Sequence, residues 1–239
     1  MIQKKNGFII VSIIVLAVFI YWIVWGNTAL ELNTYTITSS MLPNSFDGYR
    51  IAHISDLHNC EMGKDNENLI NMLKEAKPDI IAITGDLIDS RRTDIEIALE
   101  FTKEALKIAP CYYVSGNHEA RVSEYVNLID RLTHLGVIVL EDKRIDLKYN
   151  DDLITLVGIS DPSFKTDYLF GDAETVVRKQ LQSNINENDS FTILLSHRPE
   201  LFEIYANFDI NLVLSGHAHG GQFRFPFVGG VVAPNQGLF

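Results

Sequence analysis

Cysteine is nearly absent: Cys60 and Cys111 are the only two in 239 residues. So few exclude a disulfide-stapled scaffold and a structural zinc site built from clustered thiolates. Positive charge is also scarce, with 20 Lys and Arg against 31 Asp and Glu and a net charge of −11. Such a surface repels a long polyanion, so no nucleic-acid partner is expected. The chain has no internal repeat and no low-complexity tract, which excludes solenoids and repeat arrays. No segment identifies a protein partner. What the chain does have is 46% apolar residues, enough for one sizeable core plus an appendage.

The appendage is residues 8–25, "FIIVSIIVLAVFIYWIVW", an uncharged run broken only by Ser12. As a helix rising ~1.5 Å per residue it spans about 27 Å, close to one bilayer core. Lys4 and Lys5 precede it, and Tyr21, Trp22 and Trp25 close it where an aromatic belt would lie. The expectation is a single-pass cell-membrane anchor with a cytoplasmic N-terminus, leaving the rest of the chain extracytoplasmic. The rival is a cleaved signal peptide and a secreted product. Against it, signal peptides carry apolar regions of only ~7–15 residues, and "GNTAL" offers no clean small-x-small site. The expected organisation is an anchor over 1–27, a polar connector over 28–47 and a catalytic domain over 48–239.

Beyond the connector, short apolar runs alternate with helical patterns. "YRIAHISDLH" and "DIIAITGDLID" read as strands, and "NENLINMLKEAK" between them as a helix stopped by Pro78. "TDIEIALEFTKEALKIA" reads as a helix with Thr93 as N-cap, followed by the strand "CYYVSGNHE". A helix ending at Gly136, a hairpin from "RIDLKYN" and "LITLVGIS", the strand "FTILLSHRPE", a short helix from Pro199 and "INLVLSGHAHGG" complete the pattern. The fold class is α/β, with mixed sheets flanked by helices.

Five of the apolar strands end in metal-ligand residue types: Asp56 and His58, Asp86, Asn117 and His118, His197, then His217 and His219. Each alone has a plain use, such as Asp56 or Asp86 capping a helix, or Asn117 serving a turn. Together they indicate a site, because groups past the carboxyl ends of strands in an α/β sheet converge on one crevice. His53, inside the first strand, reads as core or as support for a ligand, and His134 as exposed. The mixture of carboxylate, amide oxygen and imidazole suits Mn, Fe or Zn better than Mg or Ca.

In this order, "DLH", "GDLID", "GNHE", a lone His after an apolar strand and "GHAH" resemble the calcineurin-like metallophosphoesterases over most of residues 50–221. With an N-terminal membrane helix and "GHAHGGQ", the chain is similar to their bacterial membrane-associated, YkuE- and YaeI-like branch. The resemblance implies the layered metallophosphoesterase fold and two divalent cations. One cation would be held by Asp56, His58 and His219, the other by Asn117, His197 and His217, with Asp86 bridging. It further implies hydrolysis of a phosphomonoester or phosphodiester by a metal-bridging hydroxide, with His118 serving the leaving oxygen and Asp89 orienting His118. Glu119 is a weaker candidate for that orienting role. Arg91, Arg92 and Arg121 are candidate phosphate clamps, since guanidinium forks suit phosphate oxygens.

Two departures stand out. Ser115 and "DSR" occupy places where the family's protein Ser/Thr phosphatases carry an Arg and "DRG", which argues against a phosphoprotein substrate. The chain also ends soon after His219, at "PNQGLF", where the family continues through further strands, so missing C-terminal strands are expected. The substrate expected is a phosphate ester, in the cell envelope or on a lipid. A lipid-linked pyrophosphate of the UDP-diacylglucosamine type is the alternative within the same chemistry. A non-catalytic metal- or ligand-binding surface protein is the alternative outside it, disfavoured because binding alone needs no His118.

Overall fold

In the computed structural model, which describes residues 2–165, 172–186, 189–220, 223–225, 229–233 and 237–238, the long apolar run is one helix, α1 (Ile2–Thr28). Its apolar stretch Gly7–Gly26 is long enough to cross a membrane, and none of it is buried. The core helix of a soluble domain would be mostly covered. The chain divides into Met1–Tyr35, which contains α1, and Thr36–Phe239.

The second unit runs β1 (Ile51–Ile54), α2 (Glu67–Ala76), β2 (Ile80–Thr84), α3 (Ile95–Ala105), β3 (Cys111–Val114), α4 (Tyr125–Leu135) and β4 (Ile138–Val139). It continues through β5 (Lys143–Tyr149), β6 (Asp152–Gly158), α5 (Ala173–Asn184), β7 (Thr192–Leu195), α6 (Phe202–Tyr205) and β8 (Leu212–Leu214). The last elements are β9 (Phe223–Phe225), β10 (Gly229–Ala233) and β11 (Gly237–Leu238). Strands β1 to β4 form a parallel sheet in chain order. Strands β5 to β8 form a second sheet, antiparallel only at the β5–β6 hairpin and parallel through β7 and β8. The small third sheet, β11-β10-β9, is antiparallel and follows His219.

The two larger sheets face one another across a shared core. Ile80, Ala82, Tyr112 and Val114 of the first meet Leu147, Ile154, Leu156, Ile193 and Leu195 of the second. Alternation along a strand sends Ile81 and Ile83 to the opposite face, and both are wholly buried. That is the side of the crossover helices α2 and α3, whose Leu69, Ile70, Leu73, Leu99 and Phe101 are buried too. On the far side of the second sheet, Val157, Ile159 and Leu194 pack against Val177 and Leu181 of α5 and Ile204 and Tyr205 of α6. The four resulting layers aim the carboxyl ends of β1, β2, β3, β7 and β8 at one crevice.

Several expectations change in detail. Asp94, not Thr93, caps α3: its side chain accepts from the Glu96 N–H, while the Thr93 hydroxyl donates to the Asp89 carbonyl. The two-residue β4 was not expected, being too short to show periodicity. Residues before 48 also pack on this unit. Phe46 is buried in the shared core with Leu42 and Tyr49 against it, and Ser45 bonds Asp152 Oδ2 and the Tyr149 carbonyl. His53 is exposed rather than core, with Nε2 2.7 Å from Thr84 Oγ1; His134 is exposed as expected.

Candidate metal centre

The strand ends open into tight loops that turn their side chains inward at a backbone cost. Asp56, His58, Asp86, His217 and His219 all have positive φ, between 47° and 65°. Left-handed backbone is uncommon for non-glycine residues and clusters at functional sites. Small neighbours make the loops close. A Cβ on Gly116 would meet the Asp86 N at 2.7 Å and overlap its carboxylate, and one on Gly216 would overlap the Ser55 hydroxyl.

These loops bring the expected ligands into two abutting clusters, Asp56 with His58 and His219, and Asp86 with His197 and His217. His58 Nε2 lies 3.2 Å from His219 Nε2, 3.8 Å from Asp56 Oδ1 and 3.7 Å from Asp86 Oδ2. On the other side, His197 Nε2 is 3.2 Å from Asp86 Oδ2. Asp86 therefore stands between the clusters. Its Oδ1 accepts from the His118 N–H at 2.8 Å, and both oxygens of Asp56 accept from the His217 N–H. Asn117 Oδ1 is buried and makes no hydrogen bond within the described residues, while the buried His197 Nε2 faces the Asp86 carboxylate. Buried polar atoms are almost always satisfied, so an amide oxygen left open beside a crevice of carboxylates and imidazoles fits a cation.

A family model for calcineurin-like phosphoesterases matches residues 49–221, which include every one of these residues. The chain belongs to the calcineurin-like phosphoesterase family. It is 29% identical to the uncharacterized metallophosphoesterase YkuE of Bacillus subtilis, over 87% of this chain and 71% of that protein. It is 30% identical to a transmembrane protein with metallophosphoesterase domain from Bos taurus, over 82% of this chain and 45% of the bovine one. Against the solved structure of TT1561 from Thermus thermophilus, the TM-score is 0.52 at 15% identity, covering 70% of this chain and 81% of that one. The shared fold is the layered α/β architecture described above, and the family is one of metal-dependent phosphoesterases.

Electrostatics at the crevice of this phosphoesterase domain lower the pKa of some of its imidazoles and of its central carboxylate and raise that of one imidazole. Burial and the nearby Arg198 and His197 drive the His217 pKa down to about 3, which keeps the imidazole neutral, the form a cation requires. Burial also lowers His58. Burial pushes Asp86 up, but the neighbouring His197 and the His118 N–H outweigh it and hold the carboxyl well below its usual range. His197 is the reciprocal case: burial lowers it, while Asp86, Asp56 and Asp161 lift it to about 9. Its Nδ1 lies 2.8 Å from the Thr84 carbonyl, which fixes the ring with Nε2 toward the crevice.

His118 sits against His58, ring centroids 4.4 Å apart. Asp89 does not hold it as expected. The Asp89 Oδ1 instead accepts from the backbone N–H groups of Arg91 and Arg92, and the Ser90 N–H donates to His118 Nδ1 at 3.0 Å. A donor on Nδ1 leaves the proton of the neutral imidazole on Nε2. Burial, with Arg121 contributing, lowers the His118 pKa against the pull of Asp86 and Asp89. Arg91, Arg92 and Arg121 are all exposed.

Ser115 is fully buried and donates through N–H and hydroxyl to Glu141, so it takes no substrate-facing place. Burial pushes Glu141 up to about 7. Two further features differ from what the sequence shows. Arg198 is buried and paired through Nε and Nη2 with both oxygens of Asp161, with Nη1 3.1 Å from His217 Nε2. Glu119 does not hold His118; it lies wholly buried beneath the Asp86 and Asn117 loops.

Proposed function

We propose that this protein is a membrane-anchored, two-metal phosphoesterase acting outside the cytoplasm on a phosphomonoester or phosphodiester. The observation that carries the reading is the pair of abutting clusters with Asp86 between them and the buried Asn117 Oδ1 alongside, which makes no hydrogen bond among the described residues. Asp56, His58 and His219 would hold one cation, Asn117, His197 and His217 the other, and Asp86 both. Two such cations, Mn, Fe or Zn by donor type, supply an activated water and the positive charge that clamps phosphate oxygens.

The chain's own groups do the rest. His118, carrying its proton on Nε2 because Ser90 occupies Nδ1, donates that proton's hydrogen bond to the leaving oxygen. Asp89 fixes the turn that presents the Ser90 N–H and adds negative charge near the ring. Arg91, Arg92 and Arg121 are solvent-facing, where they would meet the outer part of a phosphate ester. The uncovered α1 and the positive flank of Lys4 and Lys5 support a single span with the catalytic unit outside.

The chemistry is tested by stripping the protein of metal and assaying nitrophenyl mono- and diesters after adding Mn, Zn or Mg. Activity should return with Mn or Zn and saturate at two ions per chain; turnover that ignores chelation would sink the reading. Orientation is tested with protease added to intact cells, which should digest the catalytic unit. Digestion only after lysis would invert the topology.

A further inference from the structure

We propose that Glu119 is a positioning residue that locks the Asp86 and Asn117 loops to each other and so sets the spacing between the two cation sites. The inference rests on the two-metal reading. Glu119 is 0% exposed, and its carboxylate is spent on backbone N–H groups of two different loops. Oε2 accepts from Asp86 and from Gly116, both at 2.9 Å, and Oε1 accepts from Leu87 at 2.8 Å and Ile88 at 3.4 Å. One oxygen thus joins the end of β2 to the end of β3. The other gathers the next two N–H groups of the Asp86 loop.

That loop needs the support. Asp86 is held at φ 51°, a strained conformation for a residue with a Cβ, and it stands between the two clusters. Gly116 immediately precedes Asn117, whose Oδ1 makes no hydrogen bond within the described residues. Burial and the nearby Asp86 push the Glu119 pKa up to about 8, but the four N–H groups on its two oxygens favour the ionised form, which alone among ordinary side chains accepts through both with no donor to place. Gln would turn an NH₂ group toward two N–H donors, and Asp would fall one methylene short of spanning both loops. Groups that orient ligands from behind typically carry about 10–100-fold of metal affinity.

The test uses the full-length chain in detergent, stripped and titrated with Mn(II), with the free ion followed by electron paramagnetic resonance. Glu119→Gln should weaken Mn(II) binding by about 10–100-fold. At saturating Mn(II) it should lower kcat on a nitrophenyl diester with KM little changed. Glu141→Gln, which removes a buried carboxylate that bonds Ser115 at the start of the β3 loop but nothing in the Asp86 loop, should cost far less Mn(II) affinity than Glu119→Gln. Wild-type affinity in Glu119→Gln, or an equal loss in Glu141→Gln, would overturn the proposal. Amide exchange in the unmutated protein decides the matter even if the variant does not fold. The Asp86, Leu87 and Gly116 amides should be as protected as those of Ile83 and Val114, and fast exchange there would refute the lock. Unmutated protein that binds no Mn(II) would instead remove the two-metal reading, leaving amide exchange to judge Glu119 alone.

Discussion

Gly216→Ala puts a methyl group where the β8 loop crosses the β1 loop, and the contacts fix what must happen. The new Cβ would overlap the Ser55 hydroxyl and stand 2.5 Å from Asp56 Oδ2 and 2.9 Å from Ser55 Cβ. Ordinary contact begins near 3.4 Å, so Asp56 must retreat by about 0.9 Å or the loop must move as far. Asp56 cannot turn away freely, because both its oxygens hold the His217 N–H. The overpacking should cost about 1–3 kcal/mol of stability. Displacing a reacting group by roughly 1 Å costs on the order of 10²-fold in rate. Ser55→Gly separates the two effects. In the double variant the Ser55 overlap is gone and the thermal midpoint should largely recover, while the Asp56 contact persists and Mn(II) affinity and turnover stay low. Denaturation, Mn(II) titration and nitrophenyl ester hydrolysis on the four chains of this cycle are sufficient. Full activity in Gly216→Ala would refute the reasoning, since Gly216 could not then abut Asp56.

Three other outcomes are expected. Asp86→Asn should lower occupancy of both cations, whereas His118→Asn should bind metal normally and turn over about 10²–10⁴-fold more slowly, with metal analysis telling them apart. The Glu141 carboxyl, lifted by burial from 4.5 to about 7, favours the folded state below pH 4.5 and loses that contribution as pH rises through 7. Unmutated protein should therefore lose up to about 3 kcal/mol across that window relative to Glu141→Gln, making the variant the more stable chain at pH 8 in denaturant titrations. The thiols should remain unpaired: exposed Cys60 should react with a maleimide in native protein, and buried Cys111, its pKa raised to about 12, only after denaturation. Equal labelling rates would contradict the burial of β3.

The parallel strand ends were legible because two local signals coincide there, an apolar run and the ligand-type residue that stops it. Asp86 and His197 are visible in this way, and Gly136 shows as the left-handed cap of α4 for the same local reason. Contacts made across the sheets leave no such trace. Arg198 and Asp161 are 37 residues apart, and neither carries a mark of its partner. The support of His118 was assigned to Asp89 because side-chain identity can be read, whereas the group that meets Nδ1 is a backbone N–H that any residue at position 90 except proline would supply. Phe46 could have been found: an aromatic between Leu42 and Tyr49 in a stretch read as polar connector is a sign of burial.

The attachment of that segment has a mechanical consequence. Ser45 is pinned where β5 ends and β6 begins, while the carboxylates and imidazoles gather at the opposite ends of the parallel strands, about 20 Å away along β6. Tension applied through residue 36 would load the Ser45 bonds and the seat of Phe46 first, before any strand end that carries a ligand. The unit can be tugged, tethered to a bead or fixed to a sensor chip by its leading segment with its crevice left open to solution and its geometry unloaded.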